Sequence, residues 1–419
     1  MSTLKLKLSN DQTNAYADLI NFISSPNYPI HVIQGYAGSG KTRLIQYFLD
    51  NINESIKMAE LMDSNFNIKN IYLTATTNKA AEVLGNKTNY ASQTIHSLLG
   101  LSPNFDIQTK KSSLVLNPGA SIIRDSLIII DEASNIDFEL KTWILKRTLN
   151  CKILYVGDSA QTIHHKAKFA IVFYKGYPES ILREQVRQSG NSNHPIKQFA
   201  MTLAKTVMTG QWTKFKFDNY HIRLVSRDEF DSLMLKDFTS LDWNSSKSRY
   251  MAWQNKTVIE YNKLIASHKL GTSEFRIGDY AVVNSSIRTN TASLKTDQQV
   301  YITDKKLDMF ENIRGTTFTL NNSHVAFMPS DIKEMKKLAL DAATNNRVDF
   351  ANYVYSSILD LRHMYASTIN KAMGSTFEET AYLDLDNISK CNNPNQIARM
   401  MYVGASRPKK FLVMTGELK

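Results

Sequence analysis

The strongest constraint on the fold is a glycine-rich loop between an apolar segment and a helix-favouring segment. Residues 35–42 read Gly-Tyr-Ala-Gly-Ser-Gly-Lys-Thr, which matches the pattern G-x-x-x-x-G-K-[ST]. The loop follows a strand predicted for His31–Gln34 and opens a helix predicted for Lys41–Asn53. Glycines let backbone N–H groups surround a phosphate chain, and the helix N-terminus adds partial positive charge. The loop therefore predicts a parallel α/β sheet with a phosphate site at its edge.

The last residues of this loop have predicted roles. We expect Lys41 to contact the β- and γ-phosphates of a nucleoside triphosphate and Thr42 to bind Mg²⁺. Gly38, Ser39 and Gly40 complete the phosphate-binding set. A glycine turn followed by Lys-Thr by chance is disfavoured, because the motif and its strand–helix context agree.

Residues 1–185 alternate short apolar segments with helical ones, which indicates parallel βαβ units in one α/β domain. The further predicted elements are strands at Ile71–Thr74, Leu127–Ile130 and Lys152–Val156 and helices at Asn78–Leu84 and Phe138–Thr148. Residues 102–120 interrupt this alternation. There, Phe105–Gln108 and Ser112–Leu116 flank Thr109–Lys111, which predicts a small inserted β-hairpin.

An acidic pair, Asp131-Glu132, follows the apolar run Leu127–Ile130. Such a run suits a strand buried on both faces, and its C-terminal edge is where open α/β sheets bind ligands. We expect Asp131 to fix Mg²⁺ through water and Glu132 to polarise the attacking water. Without other motifs, an Asp-Glu pair is as often a solvent-exposed strand end as a catalytic site. Together with the upstream loop it predicts hydrolysis of a nucleoside triphosphate.

Three further residues suit contact with the γ-phosphate. Gln161 follows the strand Lys152–Val156 and is expected to sense that phosphate. Arg187 and Arg407 suit arginine fingers, which stabilise the charge of phosphoryl transfer. Taken singly, each arginine could equally be an ordinary surface residue. If both come from a second domain, hydrolysis requires the domains to close.

The second region begins near Val186 and has a different organisation. Its predicted elements are a helix at Pro195–Thr209, a polar linker, a strand at Arg249–Trp253, a helix at Thr257–His268, short strands at Phe275–Asn284, Gln299–Ile302, Thr316–Leu320 and His324–Phe327, helices within 331–363, strands at Glu379–Leu385 and Lys410–Thr415, and a helix at Asn393–Val403. The simplest organisation is a second α/β domain of residues 186–268 and 364–419, interrupted by a β-barrel and helices at 269–363.

The composition of the chain narrows the range of expected binding partners and compartments. The 419 residues carry 50 Lys and Arg against 39 Asp and Glu, a formal net charge of +11, which favours an acidic partner such as nucleic acid. Two cysteines give neither a disulfide framework nor a zinc site and suit a reducing cytoplasm. No segment is apolar for long enough to span a membrane, and the N-terminus lacks the apolar stretch of a secretory signal.

The ordered motifs resemble those of superfamily 1 helicases, specifically the 5′-to-3′ group of RecD-like and Dda-type enzymes. The matches run from Leu8–Gln12 through the loop and acidic pair to Arg407, and therefore span nearly the whole chain. The other matching segments are 74–81 (motif Ia), 92–99 (motif Ib), 367–375 (motif V) and 402–407 (motif VI). The resemblance implies two RecA-like P-loop NTPase domains, with the hairpin in the first as a strand-separating pin and an SH3-like barrel with a helical arm in the second.

The resemblance also implies binding roles. Gln12 is expected to bind adenine, and Gly374 to lie at the nucleotide. The residues expected to follow one DNA strand are Thr77, Asn78, Lys79, Thr94, His96, Thr368, Asn370 and Lys371. Phe105 and Leu116 are the candidate apolar wedges of the pin. Trp253, followed by Asn255, suits base stacking, although packing against a core explains it as well.

Motif V departs from the family pattern at two positions. Asn370 stands where His is usual, and Met373 where Gln is usual. Asn keeps hydrogen-bonding capacity, whereas Met cannot replace an amide. We therefore expect intact ATPase residues with altered coupling between the DNA and nucleotide sites.

The leading hypothesis is an ATP- and Mg²⁺-dependent DNA helicase that translocates 5′ to 3′ on single-stranded DNA. The alternatives are a single-strand translocase that displaces bound proteins, a nucleic-acid-binding accessory with a decayed motor, and a small-molecule P-loop kinase. By resemblance, the expected partners are single-stranded DNA and duplex junctions, with single-strand binding or replication proteins as further candidates. We also expect the protein to act as a monomer in the cytoplasm, which would be that of a bacterial host if the protein is viral.

Overall fold

The computed structural model describes residues 8–25, 27–62, 68–106, 111–162, 170–174, 176–184 and 194–418. One predicted site residue, Arg187, lies outside these ranges. The backbone of Phe105 is described but its side chain is not. Within the described ranges, no helix is long and apolar enough to cross a membrane.

The first domain contains a six-stranded parallel sheet flanked by helices. Its elements are α1 (Asn10–Ser24), β1 (Ile30–Gly35), α2 (Lys41–Asp50), α3 (Ile52–Met62), β2 (Asn70–Ala75), α4 (Asn78–Thr88), β3 (Ser92–Thr94), α5 (Ile95–Leu98), β4 (Leu101–Asp106), β5 (Lys111–Leu116), β6 (Ile123–Arg124), β7 (Ser126–Asp131), α6 (Phe138–Arg147), β8 (Thr148–Leu149), β9 (Lys152–Gly157) and β10 (Glu179–Leu182). The sheet order is β10-β1-β9-β7-β2-β3. The α/β prediction for this region is confirmed.

Burial explains why β7 lies inside this sheet. Residues 126–130 are all buried, because helices cover both faces of a parallel sheet. The carboxyl ends of β1 and β7 therefore lie at the same edge, which brings the glycine-rich loop and Asp131-Glu132 together. The predicted helix Lys41–Asn53 is wrong at its end, since α2 stops at Asp50 and α3 begins at Ile52.

The predicted hairpin is present but begins earlier than expected. β4 and β5 pair antiparallel from Leu101 opposite Leu116 to Asp106 opposite Lys111. The first predicted strand, Phe105–Gln108, is therefore displaced, because pairing begins four residues before Phe105 and Gln108 lies outside the described residues. The hairpin is fastened to the domain where Leu114 N–H donates to Glu139 Oε1 at 2.8 Å.

The second domain is built on a five-stranded parallel sheet. Its elements are α7 (Pro195–Thr209), β11 (Ile222–Val225), α8 (Arg227–Thr239), β12 (Ser248–Ala252) and α9 (Asn255–Leu270) before an insertion, and β20 (Ala366–Thr368), β21 (Thr380–Asp384), α12 (Leu385–Ile388), α13 (Pro394–Ala405) and β22 (Phe411–Thr415) after it. The sheet order is β11-β22-β21-β12-β20. The predicted polar linker is wrong in part, since it contains β11 and α8.

An antiparallel sheet and two helices interrupt the second domain. The elements are β13 (Tyr280–Val283), β14 (Ile287–Arg288), β15 (Ser293–Leu294), β16 (Gln299–Phe310), β17 (Ile313–Leu320), β18 (His324–Pro329), α10 (Ile332–Thr344), α11 (Val348–Ser357) and β19 (Leu361–Arg362). The sheet order is β18-β17-β16-β13-β19. Helices within 331–363 are confirmed, but the last part of that segment is a strand, because β19 closes the sheet against β13.

Candidate nucleotide site and nucleic-acid cleft

A cavity of about 320 Å³ lies at the end of β1, above the glycine-rich loop. Its lining residues are Ala37, Gly38, Gly40, Lys41, Thr42, Arg43, Ala80, Val83, Leu84, Lys87, Asp131, Glu132, Gln161, Gly374 and Arg407. Gly38 and Gly40 have φ of 87° and 83°, a region that L side chains rarely adopt. Lys41 Nζ donates to the carbonyls of Gly35 at 2.6 Å and Tyr36 at 3.1 Å, which keeps the ammonium at the loop.

The acidic pair lies across the cavity from the loop. Asp131 Oδ1 accepts the Glu132 N–H at 2.8 Å. The pKa of Glu132 is raised to about 7, chiefly by burial and also by the Asp131 carboxyl, while Arg407 and Lys41 oppose the rise. Glu132 has φ of 54°, an uncommon value for a residue with a side chain. Such a carboxyl is poised to accept a proton near neutral pH.

The second domain completes the cavity with two predicted residues, Gly374 and Arg407. Arg407 is 1% exposed, and its Nε and Nη1 donate to the carbonyls of Val403 and Ser375. Its Nη2 has no protein partner although it is buried. Burial lowers the pKa of this guanidinium, while Glu132 favours its charged form. The cavity therefore contains an arginine donor from the second domain, in the segment that follows α13.

Gln161 lines the same cavity, and its role as a phosphate sensor stays a prediction. Its Oε1 is buried without a protein partner. Its backbone carbonyl accepts from Arg399 Nη1 at 2.7 Å, and the same Nη1 donates to the Ser159 carbonyl at 2.6 Å. Arg399, on α13, thus ties the second domain to the Gln161 loop.

Tyr402 makes a second tie between the domains. Its hydroxyl donates to Asp158 Oδ2 and accepts the Ala37 N–H at 2.8 Å, so one side chain joins α13, the loop after β9 and the glycine-rich loop. Sequence reasoning assigned no role to Tyr402, Asp158 or Arg399. Their partners are more than 230 residues apart in sequence, and no local pattern could have indicated them.

Gln12 is 2% exposed and lies behind the glycine-rich loop. Its Nε2 donates to the carbonyls of Ser39 at 3.3 Å and Gly40 at 3.2 Å, and its Oε1 accepts the Ser9 N–H at 3.0 Å. Ser9 and Gln12 form a capping box that starts α1. Gln12 therefore supports the loop in this structure, and adenine binding by it stays a prediction.

The donors in the cavity fit Mg²⁺ bound together with a nucleotide. The hydroxyl of Thr42 and the carboxyl of Asp131 both line it. Mg²⁺ is usually held by one or two protein oxygens plus phosphates and waters. Among the described residues, no group of three or more His, Cys, Asp and Glu side chains could hold a metal by itself.

Three further cavities lie next to one another between the domains. The central cleft, about 380 Å³, is bordered by both domains and the hairpin; the first-domain groove, about 470 Å³, lies between the first domain and the insertion; and the second-domain pocket, about 110 Å³, lies beside β20. Lys79 and Asp297 line all three. The three cavities together form a continuous candidate path for an extended strand.

Nine of the ten predicted DNA-binding residues line this path. Thr77, Lys79, His96, Asn370 and Lys371 line the central cleft, Asn78 and Thr94 line the first-domain groove, and Asn255 and Thr368 line the second-domain pocket. The tenth, Trp253, instead packs against the core of the second domain, and its backbone N–H donates to Asn387 Oδ1 at 2.8 Å. Sequence reasoning missed the contribution of the insertion, whose residues 295–299 line the first-domain groove.

Of the wedge candidates, Leu116 is 38% exposed. It pairs with Leu101 at the base of the hairpin, at the end farthest from the turn. Phe105 pairs with Ser112 one step from the last described pair, Asp106 with Lys111. The backbone of Phe105 therefore lies near the far end of the described pairing, whereas Leu116 lies at the base of the hairpin.

Taken together, the fold and site define a two-domain P-loop protein. The glycine-rich loop, the acidic pair and Gln161 follow strands of one parallel sheet, and Arg407 comes from the second domain, just after α13. Residues 22–167 match a family model described as an AAA domain.

Two related proteins and one solved structure are similar to a larger part of this chain. The ATP-dependent DNA helicase dda of Enterobacteria phage T4 is 25% identical over 67% of this chain, which spans 62% of that protein. An uncharacterized protein of Acanthamoeba polyphaga mimivirus is 23% identical over 94% of this chain and 97% of its own length. The crystal structure of Pif1 helicase from Candida albicans has the same fold at a TM-score of 0.50 and 14% identity, covering 98% of this chain and 95% of that one. The resemblance of this chain to superfamily 1 helicases is confirmed.

Proposed function

We propose that this protein is an ATP-dependent DNA helicase that translocates 5′ to 3′ along single-stranded DNA and separates duplex DNA. The observation that carries the proposal is the position of segment 370–374. Asn370, Lys371 and Met373 line the central cleft, while Gly374 lines the nucleotide cavity. A single short segment of the second domain therefore touches both candidate sites.

The nucleotide cavity supplies the groups for hydrolysis. Lys41 and the N–H groups of the glycine-rich loop bind the phosphates, and Glu132 accepts a proton from the attacking water. Thr42 and Asp131 would hold Mg²⁺, which neutralises phosphate charge when bound. Arg407 adds a donor from the second domain where charge develops.

Domain closure then connects hydrolysis to movement. Arg407, Tyr402 and Arg399 all lie in or just after α13 and meet the first domain at the cavity. A nucleotide that recruits Arg407 pulls on the same domain that carries Asn370 and Lys371. Repeated closing and opening would then move the strand between two gripping surfaces.

The test compares two duplexes of identical sequence, one with a 5′ single-stranded tail and one with a 3′ tail. We expect ATP-dependent separation of the 5′-tailed duplex alone, and its loss in Lys41→Ala. Separation of only the 3′-tailed duplex would overturn the polarity. Absence of both unwinding and DNA-stimulated hydrolysis would overturn the whole proposal.

A second candidate function is a translocase that displaces bound proteins without efficient unwinding. This function needs no apolar wedge on the hairpin, and one of the two wedge candidates, Leu116, lies at the hairpin base, away from the turn. Strong DNA-stimulated hydrolysis with neither duplex opened would support this function. Removal of streptavidin from a biotinylated single strand would then measure it directly.

A further inference from the structure

One acidic side chain of the insertion lies at the junction of all three cavities of the path. Asp297 occupies a tight turn between β15 and β16, where Gln298 N–H donates to the Lys295 carbonyl at 3.1 Å. The turn is fastened to β13, because Asp297 N–H donates to the Val283 carbonyl at 2.8 Å and Val283 N–H donates to the Gln298 carbonyl at 3.0 Å. Asp297 is therefore held in place by backbone hydrogen bonds.

This carboxyl pairs with a lysine expected to bind the strand. Lys371 Nζ donates to Asp297 Oδ1 at 2.8 Å, to Asn284 Oδ1 at 2.9 Å and to the Asn284 carbonyl at 3.1 Å. An ammonium has three donors, and all three are engaged by the insertion. A phosphate reaching Lys371 must therefore displace the carboxylate or the amide.

Both side chains of the pair remain within reach of solvent. Their exposed fractions are 29% for Lys371 and 25% for Asp297, so exchange of the carboxylate for a phosphate needs no unfolding. The other cations that line the path with Lys371 include Lys79, Arg249 and Arg362. A carboxylate among these cations weakens the path for a polyanion.

We infer that Asp297 limits how tightly the path holds single-stranded nucleic acid, by competing with backbone phosphates for Lys371. The inference rests on the proposed function, because it assumes that a strand occupies this path. A motor must release its strand at every step, and a competing carboxylate on a fixed turn supplies that release. Asp297 thereby acts as an affinity-determining residue contributed by the insertion.

Salt dependence separates this role from a merely structural one. While Lys371 stays paired with Asp297, it contacts no phosphate and therefore releases no counterion from the strand. When Asp297 is neutral, Lys371 contributes a new phosphate contact, and the slope of log K against log salt steepens by roughly 0.7 for a single strand. The substitution Asp297→Asn suits the test because Asn tolerates positive φ, and Asp297 has φ of 64°.

The experiment measures binding of a fluorescein-labelled oligo(dT) by anisotropy over a salt series, without nucleotide. We expect Asp297→Asn to bind several-fold tighter at low salt and with the steeper slope. Asp297→Gly, which also permits positive φ, should behave alike. The matched control is Asp308→Asn, which removes one charge from the same insertion at an exposed hairpin position, where Asp308 accepts from Thr317.

A double-mutant comparison completes the test. In a Lys371→Gln background, Asp297→Asn should leave the slope unchanged, because there is no lysine to release. An unchanged slope for Asp297→Asn in the wild-type background, or the same steepening with Asp308→Asn, would overturn the inference. Absence of salt-dependent binding by the wild-type protein would instead overturn the proposed function.

Discussion

At the scale of single residues, some of the buried polar side-chain atoms that lack a protein partner lie in the nucleotide cavity or its glycine-rich loop. Within the described residues, Gln161 Oε1, Arg407 Nη2 and Ser39 Oγ are such atoms. Leaving a buried polar group unsatisfied costs about 1–3 kcal/mol, so native structures keep few of them. A bound nucleotide and its attacking water would supply the missing partners.

Arg407→Ala should therefore abolish most hydrolysis while leaving nucleotide binding largely intact. Arginine fingers contribute roughly 10³–10⁵-fold to phosphoryl transfer, and the expected loss of steady-state ATPase activity lies in this range. Lys409→Ala is the matched control. Lys409 lies two positions after Arg407 in the chain, but its side chain forms an ion pair with Glu378 at the surface. Wild-type hydrolysis by Arg407→Ala would show that another residue supplies the finger.

Tyr402→Phe tests the tie between the domains. Removing the hydroxyl leaves Asp158 Oδ2 and the Ala37 N–H without this partner, and we expect a loss of about 1–3 kcal/mol in the free energy of unfolding. Urea denaturation measures the change. Tyr280→Phe, at a side chain that is 54% exposed, should leave stability unchanged; equal effects of both substitutions would contradict the role of Tyr402.

Individual elements show what sequence patterns could and could not predict. β1, β2, β7 and β9 were predicted to within about two residues at either end, because an apolar run and the motif after it are both local signals. The helix α8 was missed although Phe230, Met234 and Phe238, its buried residues, recur at every fourth position. Its overall polarity concealed this face. β11 has only four residues, and its pairing with β22 is set by distant packing.

The same distinction applies to the candidate site. Lys41, Thr42, Asp131 and Gln161 were predicted because they occur in contiguous motifs, and the structure places them around one cavity. Asp297 was missed because its partner, Lys371, lies 74 residues away in sequence, in the turn after β20. Contacts of this kind arise from the insertion fold, which the sequence indicated only in outline.

Replacing the hairpin tests the function of a whole element. We expect a variant in which residues 104–113 are replaced by a short Gly-Ser turn to lose unwinding but to retain single-strand-stimulated hydrolysis, since the nucleotide cavity is formed elsewhere. Strand-separation and ATPase assays on the same preparation measure both. Normal unwinding by this variant would refute the hairpin as a strand-separating pin, and Leu116→Ala, at the hairpin base, serves as a milder comparison.

At the scale of the whole molecule, the nucleotide cavity belongs to neither domain alone. The first domain supplies the loop and the acidic pair, and the second supplies Gly374 and Arg407. A ligand in such a cavity stabilises the arrangement of the two sheets as well as the local loop. Nucleotide binding is therefore expected to stabilise the protein as a unit.

A non-hydrolysable ATP analogue with Mg²⁺ should raise the unfolding free energy by about 2.7 kcal/mol when present at about 100 times its dissociation constant. Differential scanning calorimetry measures the accompanying rise in unfolding temperature. Chelation of Mg²⁺ should reduce the effect, and Lys41→Ala should remove it. A rise of equal size in Lys41→Ala would place nucleotide binding outside this cavity.

The strand order of the second sheet has a consequence for biosynthesis. β22, the last strand in sequence, lies inside that sheet between β11 and β21. During translation the first domain can complete its own sheet early, whereas the sheet of the second domain lacks one interior strand until residues 411–415 have been synthesised. A premature stop shortly before Phe411 would thus yield a phosphate-loop domain attached to a second domain whose sheet lacks one of its interior strands.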